Sequence, residues 1–143
     1  MNAASVSSIQ ARFSIAVLQD AAERILLLKR ATTAAIGSDL WGFPAGHIET
    51  DESPLACIRR EMNEELGPEH ALELLTQLEP VIDTQYGGVY EIHLFHFRWL
   101  SGHIQLNTEH TDYAWVGHKD YARYPTVPGV DEDLRYLKIW LPA

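Results

Sequence analysis

The predicted elements run in the order strands, helix, strands, helix, which indicates a mixed α+β fold or an α/β/α sandwich. Two apolar runs, 13–18 and 24–30, flank a polar turn and predict a β-hairpin. Residues 53–67 carry the clearest helix signal, and 90–100 alternate apolar and polar residues as a strand does. The chain has 143 residues, which suits one domain with a sizeable core.

The predicted helix has recognisable ends and one apolar side. Ser53 is a suitable N-cap, Pro54 fits the first helical position, and Gly67, followed by a proline, ends the helix. At 100° per residue, one side of the helix collects four apolar residues, Leu55, Ile58, Met62 and Leu66. We therefore expect the helix to bury this side against a sheet.

The rest of the chain is predicted to be mostly strand, with a second helix at its end. Residues 72–83 are expected to form a strand with an irregular start, and residues 112–116 a short strand. Residues 131–141 carry apolar residues at helical spacing and predict a C-terminal helix. Residues 1–8 are expected to form a flexible N-terminal tail, which leaves 9–143 as a single domain.

Composition limits the classes of partner and compartment. The formal net charge of −9 argues against a surface built to bind nucleic-acid phosphates. No apolar stretch approaches the ~20 residues of a membrane span, and residues 1–10 lack the pattern of a signal peptide. The single cysteine, Cys57, excludes an internal disulfide and fits a reducing compartment. We therefore expect a cytoplasmic protein that binds neither nucleic acid nor membrane.

The predicted helix also carries an unusual density of carboxylates. Glu61, Glu64 and Glu65 lie close together beside Arg60, and like charges at this spacing repel one another unless a cation neutralises them. Glu61 and Glu65, spaced i and i+4, border the apolar side, which places them in a cleft at the rim of the core. Mg²⁺ takes oxygen ligands and keeps several waters, so one or two such carboxylates with substrate phosphates suit it. The alternative is an ordinary acidic face exposed to solvent, which the spacing of the whole set disfavours.

This spacing is part of a longer motif. Every fixed position of the pattern G-x5-E-x7-R-E-U-x-E-E-x-G-U, in which U is a bulky aliphatic residue, is filled, by Gly46, Glu52, Arg60, Glu61, Glu64, Glu65 and Gly67. The pattern is the Nudix box, and the chain resembles the Nudix hydrolases. Met62 fills the first U position, whereas Pro68 departs from the pattern at the last one. The lead-in at 41–49 resembles the usual Pro-Gly-Gly lead-in of the family, with Ala45 replacing the first glycine.

The resemblance implies a Nudix-type sandwich with a mixed sheet and a catalytic role for the carboxylates of the box. It implies bound Mg²⁺ or Mn²⁺, with metal ligands at Glu61, Glu64, Glu65 and the carbonyl of Ala45. Glu52 and Arg60 would complete the catalytic set by holding the loop and the helix together. Glu52 precedes the first turn of the helix, where it could fold back and pair with Arg60.

A second segment of the chain resembles MutT-like members of this family. Residues 108–116 match the Glu-His-x-x-Tyr-x-Trp segment of those proteins, in which a glutamate from a loop reaches the metal cluster. This match implies that Glu109 is a further ligand or the general base. Trp41 and Tyr86 are candidate surfaces for stacking of a substrate, although packing would account for either aromatic.

The implied reaction is metal-dependent hydrolysis of a diphosphate linkage in a nucleoside-diphosphate-linked substrate, by attack of water on phosphorus. Nucleoside triphosphates, cleaved to a monophosphate and pyrophosphate, are the expected small-molecule substrates. Dinucleoside polyphosphates and cofactor pyrophosphates stay open as other substrates, and a non-catalytic nucleotide-sensing module stays open as another function. The sequence leaves the oligomeric state open, and a homodimer is one expected state because dimers are common in the resembled family.

Overall fold

Eight strands and two helices are formed by the residues that the computed structural model describes, which are 9–35, 37–84 and 88–140. The strands in chain order are β1 (Ala11–Gln19), β2 (Ile25–Arg30), β3 (Trp41–Gly42), β4 (Ala45–His47), β5 (His70–Gln77), β6 (Val81–Asp83), β7 (Tyr90–Gly102) and β8 (His110–Val116). The helices are α1 (Pro54–Leu66) and α2 (Val130–Tyr136), and a 3-10 turn lies at Tyr121–Arg123. The tail predicted at 1–8 lies outside the described residues.

The strands form one mixed sheet whose main path is β3-β2-β1-β7-β5. β1 and β7 run parallel at the centre, paired from Ala11↔Tyr90 to Gln19↔Arg98. The other pairings between these strands are antiparallel. β1 and β2 are joined by a short turn and pair at Gln19↔Ile25, which confirms the predicted hairpin.

An apolar cluster lies on each face of the sheet, which confirms the α/β/α arrangement. The cluster beneath α1 contains Ala16, Leu18, Leu26, Leu28, Ile58, Met62, Leu66, Phe95 and Phe97. The cluster on the opposite face includes, from the sheet and from α2, Val17, Ile25, Leu27, Ile92, Leu94, Val130 and Leu134. Successive side chains of a strand point to opposite faces, so the continuous apolar run of β2 supplies both clusters.

α1 begins and ends where the sequence predicts. The Ser53 hydroxyl accepts a hydrogen bond from the Ala56 N–H at 3.1 Å. At the other end, Gly67 takes a φ of 82°, a conformation that is strained for residues with a side chain. The Ser14 hydroxyl donates to the Pro54 carbonyl at 2.8 Å, which ties the start of the helix to β1. The helix buries its predicted apolar side and, with it, the carboxyl of Glu65.

The prediction of one strand over 72–83 is wrong, because two strands, β5 and β6, cover this part of the chain. Pro80 lies between them and has no N–H to donate to a ladder. β5 pairs with the second half of β7, whereas β6 pairs with the first residues of β7. The long strand β7 therefore has two successive partners on one edge.

The helix predicted at 131–141 is also shorter than expected, because α2 ends at Tyr136 and residue 141 lies outside the described residues. Lys138 and Trp140 take φ values of 57° and 62°, which a right-handed helix does not allow. Trp140 instead stacks on His118, with the ring centroids 4.9 Å apart. Of the helices in the described residues, none is long and apolar enough to cross a membrane.

Candidate active site

A cleft of about 570 Å³ lies on the face of the sheet that α2 also covers. Glu61 reaches it from α1 and Glu109 from the loop before β8. Apolar side chains of β1 and β7 line it as well, and so do two aspartates, Asp83 and Asp133. A second cavity of about 360 Å³ shares part of this lining and contains Glu65. Two of the carboxylates of the box, together with Glu109, therefore border neighbouring cavities.

Glu65 is the most buried of these carboxylates, with 2% of its surface exposed. The Ala45 N–H donates a hydrogen bond to this carboxylate, but its Oε2 has no hydrogen-bond partner among the described residues. Burial raises the pKa of Glu65 well above its usual range, and the negative charges of Glu61 and Glu109 raise it further. The Nδ1 of His110 lies 3.8 Å from Oε1, and burial lowers the pKa of this histidine. Glu65 thus keeps one oxygen available for a ligand.

Glu61 lies against the backbone of β4. Its Oε1 accepts a hydrogen bond from Arg60 Nη1 at 3.2 Å. Burial raises the pKa of Glu61 to about 7, and the negative charge of Glu64 adds to this effect although Arg60 opposes it. A Cβ at Gly46 would overlap the end of the Glu61 side chain, which explains why a glycine suits this position.

Arg60 joins α1 to the loop that precedes it. It donates two hydrogen bonds to Glu52, from Nε at 2.7 Å and from Nη2 at 3.0 Å, so the pairing expected from the sequence is confirmed. Nη2 also donates to the His47 carbonyl at 3.2 Å, and Glu52 Oε1 accepts from the Glu49 N–H at 3.0 Å. The hydrogen bonds from Arg60 and from the Glu49 N–H lower the pKa of Glu52 to about 2. The loop and the helix are therefore held as one unit behind the carboxylates of the cleft.

The Glu52→Gln variant is expected to be less stable than the wild type near neutral pH and equally stable near pH 2. Because the folded-state pKa of Glu52 is lowered, its ionised form stabilises the fold above a pH of about 5, and this contribution is lost as the pH falls towards about 2. Urea unfolding of both proteins across this range measures the difference. Glu73→Gln, at an exposed carboxylate on β5, is the matched control. A difference in the free energy of unfolding between Glu52→Gln and the wild type that does not change with pH would contradict the expectation.

Glu109 is held by its own loop. Its N–H donates to the Asn107 side-chain oxygen at 3.0 Å, and Asn107 Nδ2 donates to Glu109 Oε2 at 3.0 Å. The Glu109 carbonyl accepts from the Ala31 N–H at 3.0 Å. The charge of Glu109 raises the pKa of both Glu61 and Glu65, so the three carboxylates are close enough to repel one another. Asn107, which positions Glu109, was not predicted from the sequence.

The Ala45 carbonyl also points away from β1. Hydrogen-bonded and non-hydrogen-bonded residue pairs alternate along two antiparallel strands. The Ala16 N–H donates to the Pro44 carbonyl, so the next pair, Ile15 and Ala45, is a non-hydrogen-bonded one. The N–H and the carbonyl of Ala45 are therefore both directed to the other side of β4, where the N–H bonds to Glu65. An oxygen from the backbone is thus added to the oxygens of the carboxylates.

The oxygen donors of this site fit a divalent cation that keeps part of its water. In residues 9–35, 37–84 and 88–140, no three His, Cys, Asp or Glu side chains are already grouped as a metal site. A hard cation such as Mg²⁺ needs only one or two carboxylates besides water and phosphate oxygens. Glu65 offers an oxygen without a hydrogen-bond partner, and Glu61 shares the repulsion that a cation would relieve. The donor set therefore matches this class of ion.

Two other predicted site residues, Glu64 and Trp41, do not line the cleft that the described residues form. The side chain of Glu64 is 51% exposed and contacts Arg60, with Nη1 3.5 Å from its Oε1. Trp41 packs edge-on against Tyr124, with centroids 5.0 Å apart, and does not line the cleft that the described residues form. Tyr86 lies outside the described residues.

Arg30, Asp83 and Asp133 are among the ionisable residues of the cleft that were not predicted from the sequence. Arg30 lines both cavities, and its positive charge lowers the pKa of Glu65. Asp133 is buried on α2 and lines the larger cavity. Its position three residues after Val130 and four before Leu137 was the available signal, because it places a carboxyl on the apolar side of the helix.

Comparisons with known proteins agree with the motif and the fold. The family model described as the NUDIX domain matches residues 9–137. The CTP pyrophosphohydrolase of Escherichia coli is 28% identical over 104 residues, covering 72% of this chain and 74% of that protein. Nucleoside triphosphatase NudI of Salmonella arizonae is 30% identical over 109 residues, which cover 69% of this chain and 77% of that protein. The crystal structure of a MutT protein from Methanosarcina mazei superposes with a TM-score of 0.74 at 22% identity. The match covers 90% of this chain and 93% of the MutT chain. The chain therefore belongs to the Nudix hydrolase family.

Proposed function

We propose that this protein hydrolyses nucleoside triphosphates to a nucleoside monophosphate and pyrophosphate, with Mg²⁺ or Mn²⁺ bound. The observation that carries this proposal is the meeting of Glu61, Glu65 and Glu109, where burial and repulsion raise the pKa of the first two. Such a site repels an anionic substrate unless a cation enters with it. The names of two similar proteins, a CTP pyrophosphohydrolase and a nucleoside triphosphatase, support a nucleoside triphosphate as the substrate.

In this proposal, Glu61, Glu65 and the Ala45 carbonyl hold the ion, and Glu109 is a further ligand or the general base. When bound, the ion supplies positive charge to the phosphate oxygens and makes water more acidic. The oxygen of the attacking water bonds to phosphorus, the bridging P–O bond to the leaving group breaks, and the proton passes to a carboxylate. Arg60 contributes by keeping Glu61 and the preceding loop in position.

A hydrolysis screen tests the substrate class. The panel contains nucleoside triphosphates, nucleotide sugars, dinucleoside polyphosphates and cofactor pyrophosphates, each with Mg²⁺ and with Mn²⁺, and products are identified by ³¹P NMR. Release of a monophosphate and pyrophosphate from triphosphates would support the proposal. Turnover confined to another class would replace the proposed substrate, and tight nucleotide binding without turnover would favour a nucleotide sensor.

Addition of Mg²⁺ or Mn²⁺ is expected to raise the Tm of the wild type. An ion at ten times its Kd stabilises the folded state by about 1.4 kcal/mol, which corresponds to a rise of about 4 °C for a domain of this size. Glu61→Gln and Glu65→Gln should each reduce the rise, because each removes a negatively charged oxygen donor. Thermal melts with and without the ion measure the rise in Tm, and the control variant Glu73→Gln should retain the full rise. An equal rise in all four proteins would place the ion elsewhere.

A further inference from the structure

The cleft has an aromatic wall apart from the carboxylates of the box. The rings of Phe13 and His47 lie with centroids 4.2 Å apart, and Phe13 meets Tyr90 edge-on at 5.6 Å. All three residues line the cleft, together with Ile15 and Ile92. Aromatic and apolar side chains of this kind stack against flat rings with little regard for their identity. The wall therefore offers a surface for the base of a nucleotide.

Asp133 is a buried polar group of this cleft that the proposed reaction does not use. Only 9% of its surface is exposed, and the buried residues beside it on α2, Val130 and Leu134, are apolar. Within the described part of the chain, its carboxyl has neither a hydrogen-bond donor nor a cation as a partner. A buried polar group without a partner is unfavourable for folding, which suggests that a ligand supplies the partner.

The surroundings of Asp133 favour its neutral form. A buried carboxyl that has neither a donor nor a cation beside it keeps its proton more readily than one in water. The negative charges of Asp83 on β6 and of Glu132 on α2 act in the same direction as burial. Burial first, and then these charges, raise the pKa of Asp133 to about 8. At neutral pH the carboxyl therefore carries one O–H donor beside one acceptor oxygen.

The sheet brings Asp133 towards the aromatic wall. Asp83, whose charge acts on Asp133, pairs with Tyr90 between β6 and β7. Glu61, on the side proposed for the phosphates, lines the same cleft. Ligand sites commonly measure about 300–1,000 Å³, and the cleft has about 570 Å³. One nucleotide can therefore place its phosphates near Glu61 and its base between the wall and Asp133.

We infer that Asp133 contacts the edge of the base as a neutral carboxylic acid, donating one hydrogen bond and accepting another, and that the cleft therefore binds amino and oxo bases equally well. This inference rests on the proposed function, since it places a nucleotide in the cleft. Cytosine and adenine present an amino N–H beside a ring nitrogen that accepts. Uracil and hypoxanthine present a ring N–H beside a carbonyl oxygen that accepts. A neutral carboxyl matches both arrangements with the same two hydrogen bonds, whereas a carboxylate lacks the donor that either arrangement needs.

The pH dependence of nucleoside binding, measured by NMR titration, tests the protonated state of Asp133. Cytidine and adenosine carry no phosphate, and their bases neither gain nor lose a proton above neutral pH. We expect the wild type to bind both at least about tenfold more weakly at a pH of about 9.5 than at about 7, because the neutral form is lost as the pH rises through the pKa of Asp133. Asp133→Asn should bind them equally well at both pH values, because its amide keeps a donor and an acceptor without ionising.

This pair of proteins also controls for the other ionisable groups that line the cleft. Besides Asp83 and Tyr90, these groups include Arg30, His47, Glu49, Arg60, Glu61 and Glu109. All of them are present in both proteins, so a difference between the two pH profiles comes from the proton of Asp133. Glu73→Gln should follow the wild type. A wild-type affinity that does not change with pH, or an equal fall in Asp133→Asn, would overturn the inference.

Matched bases test the equal binding of amino and oxo bases. Cytidine and uridine differ at this edge of the base, as do adenosine and inosine. At neutral pH, we expect the two affinities in each pair to agree within about threefold, less than the effect of one strong hydrogen bond. Asp133→Ala should weaken the binding of all four nucleosides by about tenfold, because it removes both hydrogen bonds. A strong preference within either pair, undiminished binding to Asp133→Ala, or no nucleoside binding to the wild type would overturn the inference.

The nucleoside measurements separate this inference from the proposed reaction, because they require neither turnover nor a metal ion. Absence of triphosphate hydrolysis, with the pH-dependent nucleoside binding retained, would reject the proposed function alone. Hydrolysis of triphosphates with nucleoside binding that does not depend on pH would reject the inference alone. If Asp133→Ala does not fold, the comparison of Asp133→Asn with the wild type still decides the outcome.

Discussion

Glu65→Gln is expected to lower kcat by a factor of about a hundred or more, the scale on which loss of a single catalytic electrostatic group acts, and to change KM only a few-fold. The glutamine side chain has nearly the same shape as the glutamate but carries no negative charge for a cation. Glu65 is fully buried, so solvent does not substitute for the lost charge. Because burial opposes ionisation of Glu65, the neutral amide should leave the fold at least as stable.

Steady-state kinetics with the best substrate of the hydrolysis screen measure this effect, and thermal melts confirm that the variant is folded. Glu64→Gln is the informative comparison on the same helix, because its side chain is half exposed and contacts Arg60. We expect a smaller fall in kcat for Glu64→Gln than for Glu65→Gln, and no fall for the exposed Glu73→Gln. A kcat for Glu65→Gln within a few-fold of the wild type would remove Glu65 from the catalytic set.

The sequence predicted α1 well because its signals are local. The N-cap at Ser53, the proline that follows and the glycine at Gly67 act on adjacent residues, and the structure has the same bounds. The end of α2 depends instead on distant contacts, since Trp140 stacks on His118 and donates to the Glu23 carbonyl at 2.8 Å. Periodicity along the chain carries no information about such contacts. The division of 72–83 into two strands likewise depends on pairing with β7.

Only those residues of the candidate site that belong to a sequence motif could be predicted from the sequence. The motif located Glu61 and Glu65, but a helical projection placed Glu65 at the edge of the apolar side. In the structure Glu65 is almost completely buried and accepts a hydrogen bond from the Ala45 N–H of β4. Asp133 belongs to no motif, and the sheet topology brings it to the cleft from a helix near the end of the chain. Residues that act together only after folding leave a weak signal in sequence. In this case the signal is one carboxyl on an apolar helix face.

Gly46→Ala is expected to lower kcat by about a hundredfold, the usual effect of a displacement of about 1 Å in a catalytic group, with little change in stability. A Cβ at Gly46 would overlap three atoms at the end of the Glu61 side chain. These atoms can rotate away while the backbone of β4 and α1 stays in place. The displacement therefore falls on the carboxyl that we propose as a metal ligand, and the apolar clusters are not disturbed.

Gly117→Ala is the matched control, because a Cβ there meets only Arg24 at an ordinary distance of 3.9 Å. Both variants should melt within a few degrees of the wild type, whereas only Gly46→Ala should lose turnover and most of the rise in Tm caused by Mg²⁺ or Mn²⁺. Full activity in Gly46→Ala would mean that Glu61 can act from another position. A large loss of stability would mean instead that the strand, and not the side chain, moves to accommodate the methyl group. Measuring both properties in both variants therefore separates the positioning of Glu61 from the packing of the sheet.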